Sequence, residues 1–150
     1  MIGTFQKPFS KLQDTQQTFD ISVSTKKRDF VFETVFSSDE KLEFLRRAHE
    51  SGFFIRFFFV CTSNPKINVS RITKRYLEGG HEVPISKIIS RYYKSYVNAT
   101  KAISFVDRAY IYDNSVEDHL PQLLFRMTEG KVFKQYTDDI PEWAIPLMNK

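Results

Sequence analysis

The stretch "FFIRFFFV", residues 53–60, sets the tightest limit on what this chain folds into. It is too short to cross a bilayer and it carries Arg56, so it is not a membrane span. A nearly continuous apolar run of this length, closed by Cys61-Thr62-Ser63-Asn64, predicts a strand buried on both faces of a parallel sheet. Upstream, "FVFETVF" at 30–36 has the β-branched and aromatic composition of another strand. Between the two, "SDEKLEFLRRAHESG" places Leu42, Leu45 and Ala48 on one helical face, with Gly52 as a stop. Ser37 and Glu40 have capping-box spacing at its start. Strand, helix and strand at these lengths predict a right-handed βαβ unit.

Downstream, Asn64-Pro65 reads as a helix N-cap followed by proline at the first helical position. Val69, Ile72 and Tyr76 form the apolar stripe of that helix, opposite Arg71, Lys74 and Arg75, and Gly79-Gly80 ends it. A longer helix is expected from about Pro84 to Ile103. Ile85, Ile88, Ile89, Tyr92 and Tyr96 line one side of it, and Lys87, Arg91, Lys94, Asn98 and Lys101 the other. "RAYIYDNS" predicts a third strand, and "LPQLLFRMTEGKVFKQY" a terminal hairpin turning at Glu129-Gly130. Residues 1–28 are polar and weakly periodic, with at most a short helix at Lys11–Phe19. The expected organisation is therefore a polar N-terminal segment, 1–28, and one α/β domain, 29–150.

Composition narrows the setting. A chain of 150 residues is long enough for one domain with a real core, and its 15% aromatic content argues for a packed interior. A single cysteine, Cys61, excludes an internal disulfide and favours a reducing compartment. "MIGTFQKPFS" has no apolar leader, so a cytoplasmic location is expected. Residues 64–101 hold eight Lys/Arg against two acids, a far stronger bias than the net charge of +4. Such a basic middle points to an anionic ligand, whether nucleotide, phosphate or nucleic acid, although a solvated helix face gives the same pattern.

Polar residues collect where the predicted strands end, which is where open parallel sheets bind ligands. The ends are Glu33-Thr34 with Ser37-Ser38, then Cys61 to Asn64, then Asp113-Asn114-Ser115. Turn formation accounts for any one of them; three ends facing a basic helical pair make a site. Glu33 stands out, because a carboxylate among aromatic and β-branched neighbours is costly to bury unless paired or bound to a ligand. His49, His81 and His119 lack metal-ligand spacing, so no metal site is expected. No G-x-S-x-G or paired Cys/His signature supports covalent catalysis. The chain also has no G-x-x-x-x-G-K-[ST], and Gly79-Gly80 is its sole double glycine.

Taken in order, "FVFETVFS", "TSNPKINVSRI", "RYLEGGHEVPISKIISRY", "DRAYIYDNS" and "LLFRMTEGKVFKQY" resemble the C-terminal two-thirds of the zeta-toxin-like family of P-loop kinases. The resemblance covers roughly residues 28–150. It implies a parallel-sheet, P-loop-kinase-like α/β fold lacking its N-terminal strand–P-loop–helix portion, with a small C-terminal β-hairpin. It also implies a kinase using ATP or GTP with Mg²⁺, a UDP-sugar acceptor such as UDP-N-acetylglucosamine, and an antitoxin protein partner. By the same resemblance, Arg75 and Arg91 are lid arginines that neutralise the transferred phosphoryl group. Glu33, Thr34 and His81 lie on the acceptor side, and Asp113, Asn114 and Ser115 border the nucleotide. The family's P-loop and general base belong upstream of ETxxS and are missing here, so the chain looks truncated and is expected to be inactive alone. A membrane or nucleic-acid partner is not part of this reading. The alternative is a non-catalytic basic module binding nucleic acid or an acidic protein, with Tyr76, Tyr92, Tyr93 and Tyr96 beside the cations.

Overall fold

In the computed structural model the described residues are 29–149, so the short helix expected at Lys11–Phe19 lies outside them. The chain divides after Glu33, and every regular element below belongs to the unit Thr34–Lys150. In order these are α1 (Asp39–Glu50), β1 (Arg56–Cys61), α2 (Pro65–Leu77), α3 (Ile85–Ile103), β2 (Arg108–Asp113), β3 (Gln122–Thr128), β4 (Lys131–Gln135) and α4 (Ile145–Met148). The class is α/β, but the sheet is mixed. Its order is β1-β2-β3-β4, with β1 and β2 parallel and the next two pairings antiparallel.

Local chemistry explains most of the boundaries. Asn64 caps α2, its side chain accepting a hydrogen bond from the Lys66 N–H at 2.9 Å, and Pro65 follows at the first position. The β3–β4 turn places Glu129 at φ 50° and Gly130 at φ 75°, the two consecutive positive values of a tight hairpin turn. The core lies between one face of the sheet and α3. Phe125, Ile111, Leu124, Met127, Ile103, Val106 and Leu147 have essentially no exposed surface. Each such side chain contributes roughly 1.5–3 kcal/mol by leaving water. Ala99 and Ala102 are fully buried too, small residues where α3 lies against β1.

Three expectations need correction. Residues 29–37 form no strand: Phe36 turns into the left-handed region at φ 59°, breaking the extended run. Its side chain is buried against Phe57, with ring centroids 5.2 Å apart, while Val35 is left exposed. The βαβ unit is therefore β1, the α2–α3 hairpin and β2. The capping box also fails, because the N-cap is Ser38 and its side chain makes no cap hydrogen bond. Finally, β1 is an edge strand with alternating burial rather than one buried on both faces. Phe59 and Cys61 point inward, whereas Phe58 and Val60 are exposed. Among the described residues, no helix is long and apolar enough to cross a membrane.

Candidate functional site

The carboxyl ends of the parallel pair meet in a network of directed hydrogen bonds. Asn114 donates its N–H to the Cys61 carbonyl at 2.7 Å, continuing the ladder one residue past β2. The Ser63 N–H donates to Ser115 Oγ at 2.8 Å, and that hydroxyl donates to Asp113 Oδ1 at 2.6 Å. Trp143 Nε1 donates to the same carboxylate oxygen at 3.0 Å. From α3, the Tyr92 hydroxyl donates to the Thr62 carbonyl at 2.7 Å. Burial pushes the Cys61 thiol up to about 11 and raises Tyr92 and Tyr96 as well. Cys61 is therefore a neutral thiol at physiological pH, a poor nucleophile.

Tyr92 also marks how far α3 reaches. It sits level with the end of β1, so the two helical turns before it, and the Gly-Gly loop, stand beyond the strand ends. Helix α2 leaves from the same edge and buries none of its residues, as a projecting element must. Two of its cations hold the 114–117 loop: Arg71 donates to the carbonyls of Asn114 at 2.8 Å and Val116 at 3.2 Å, and Lys74 pairs with Glu117 at 3.7 Å. Arg75 follows Arg71 by four residues and shares that face one turn further out.

The predicted residues fall into three groups. Arg75, His81 and Arg91 are exposed on the projecting hairpin, and among the described residues none has an ion-pair partner. Asp113 and Ser115 spend side-chain hydrogen bonds within the fold, with Trp143 and Ser63, while Asn114 is held through its backbone, by Cys61 and Arg71. Thr34 is exposed and its hydroxyl accepts the Phe36 N–H at 3.3 Å. Glu33 is exposed too, so the cost of burying its carboxylate does not arise. A groove of about 550 Å³ opens between the start of α1 and α3, lined by Ser37, Ser38, Asp39, Tyr93, Lys94, Val97, Asn98 and Lys101. Of the polar strand-end residues only Ser37 and Ser38 line it; none of the residues expected to contact phosphate, acceptor or nucleotide does.

The Gly79-Gly80 turn is a closed structure. The Gly79 and Gly80 N–H groups return to the Tyr76 and Arg75 carbonyls at 3.0 and 2.9 Å, and a Cβ on Gly80 would meet the Arg75 oxygen at 2.8 Å. Those amides are thus not free to cradle phosphate. Among the described residues, no three His, Cys, Asp or Glu side chains group as a metal site.

Sequence reading puts Arg71 and Asn98 on cationic helix faces and Tyr92 among the helix aromatics, without the contacts they make here, and gives Trp143 no role. Asn98 is buried and donates to the Phe36 and Ser38 carbonyls at 3.2 and 3.3 Å, joining α3 to the entry of α1. Its helical phase places it on the cationic side of α3, with Lys87, Arg91, Lys94 and Lys101. No family model, curated protein or solved structure matches this chain.

Proposed function

We propose that this chain forms the lid-and-acceptor part of a small-molecule phosphotransferase of zeta-toxin type, with a UDP-sugar such as UDP-N-acetylglucosamine as acceptor. The observation that carries the reading is the α2–α3 hairpin. It stands beyond the carboxyl ends of a parallel strand pair and holds Arg75 and Arg91 exposed on either side of the Gly79-Gly80 turn. Guanidinium groups present a planar fork that suits phosphate oxygens, and helices hold them at the edge where α/β sheets take ligands. Phosphoryl transfer needs mainly positioning and charge neutralisation, the two things such a hairpin supplies. In this reading Arg75 and Arg91 neutralise phosphate charge, and Thr34 and His81 contact the acceptor. Asp113, Asn114 and Ser115 shape the nucleotide edge through the loop they order. A cytoplasmic setting and an antitoxin partner belong to the same proposal.

ATP or GTP with Mg²⁺ belongs, in this reading, to the intact family rather than to this chain. The amides of the double glycine are already bonded, and among the described residues no three His, Cys, Asp or Glu side chains group together. No transfer step is therefore assigned to this chain alone, and purified protein should not move the γ-phosphate of ATP. Calorimetric titration with UDP-N-acetylglucosamine tests the acceptor half. Saturable binding that Arg91→Ala weakens roughly tenfold, the scale of a lost charge-assisted hydrogen bond, supports the reading. Absence of saturable binding, or an unchanged curve for the variant, overturns it.

A further inference from the structure

The sheet face turned away from α3 carries a second cationic surface, and we propose that it is a stacking platform for single-stranded nucleic acid. Strand register places Phe58, Tyr110, Arg126 and Lys134 in one row across all four strands. The neighbouring row is Arg56, Arg108, Thr128 and Lys131. Five of these eight positions are cations and none is an acid. Strands lie about 4.8 Å apart, so each row spans roughly 14 Å.

Three observations show that the described residues do not neutralise this surface. Arg56 faces Arg108 and Arg126 faces Lys134 directly across the ladder, like-charge pairs that cost a sheet stability. Among the described residues none of the four has an ion-pair partner. Arg126 Nε is buried with no hydrogen-bond partner. Aromatic rings hold the guanidinium groups instead. The Phe54 ring lies 5.3 Å from both Arg56 and Arg108, and Arg126 sits 4.1 Å over Phe133. Phe58 and Tyr110 stack at 4.8 Å, and Phe54, Phe58 and Phe133 are each more than half exposed.

An apolar helix laid on this face would leave five cations desolvated and unpaired. An acidic polypeptide would meet the charge but bring few planar groups to the rings. A single strand of nucleic acid brings both, phosphates for the cations and unstacked bases for the rings and guanidinium planes. The inference is independent of the phosphotransferase reading, which concerns the α2–α3 hairpin.

Fluorescence anisotropy with a labelled oligothymidylate tests it on the whole chain. Saturable binding is expected, and the Arg108→Ala/Arg126→Ala double variant should weaken it at least about tenfold while lowering the salt slope by about two. Phe58→Ala should weaken binding about fivefold or more with the slope unchanged. Arg75→Ala should leave it within about twofold, which separates this face from the hairpin. Arg108→Gln/Arg126→Gln replaces the alanine pair if circular dichroism shows that the latter disturbs the fold. Four results would each overturn the proposal: no saturable binding; equal affinity for a duplex of the same sequence; equal displacement by polyglutamate, which would mark an acidic polypeptide as the occupant; or self-association abolished by Phe58→Ala, which would mark a second copy.

Discussion

From Asn98 to Ile103, α3 lies so tightly against the sheet that Ala99, Ala102 and Ile103 have no exposed surface. From Ile85 to Arg91 the same helix stands past the strand ends, with Lys87 and Arg91 in water and Ile88 its one buried residue. One unbroken helix thus anchors the fold at one end and presents charge at the other. The first half answers to packing, where volume and hydrogen-bond satisfaction decide the energy. The second answers to what binds there, because exposed cations contribute little to folding. Mutations in the two regions should therefore separate stability from binding.

The largest effect is expected at the floor of the packed region. Phe125→Ala removes a fully buried ring and should lower unfolding free energy by about 3–5 kcal/mol in urea titration. A loss under about 1 kcal/mol would mean that the core is loosely packed. Next comes pH. Cys61 is raised from 9.0 to about 11, so the folded state holds its proton more tightly than the unfolded chain. That stabilisation is complete below pH 9 and disappears as pH rises toward about 11, a loss of about 2–3 kcal/mol. Tyr92, also raised, acts in the same direction. Cys61→Ala should make the fall across that window shallower, Tyr92 supplying what remains, and an equally steep fall in the variant would remove the thiol from the explanation.

Asn98→Ala is expected to cost about 1–3 kcal/mol, because the Phe36 and Ser38 carbonyls lose their buried donor. It should also loosen amide protection at the start of α1 in hydrogen exchange. Arg75→Ala is the smallest in stability, within about 0.5 kcal/mol of the parent, since its side chain is exposed and makes no ion pair among the described residues. A larger loss would place Arg75 in the structural half of the comparison.

The elements legible in the sequence were those closed by local chemistry. Asn64-Pro65, Gly79-Gly80 and Glu129-Gly130 punctuate the chain through caps and positive φ values, which depend on neighbours only. Sheet position was not legible, because an aromatic run looks the same at an edge as at a centre. Val60 is exposed because it shares with Phe58 the face of β1 opposite the buried Phe59 and Cys61, and nothing within the run says which face is covered. The "FVFETVF" segment failed as a strand because pairing is a tertiary matter, and burial of Phe36 against Phe57 favoured a bend. At the site, the basic helices were readable from spacing. The contacts of Arg71 and Trp143 join residues 30 or more positions apart and leave no local trace. The cationic sheet face was hidden for the same reason, since its rows exist only once four strands are in register.

The most direct measurement compares UDP-N-acetylglucosamine titrations of the parent chain and an Arg75→Ala/Arg91→Ala variant by calorimetry, with urea unfolding of both. The account predicts saturable binding in the parent, its loss in the variant, and unfolding midpoints that coincide. Equal binding by both proteins, or binding lost only together with the fold, would contradict a hairpin whose exposed arginines serve phosphate rather than structure.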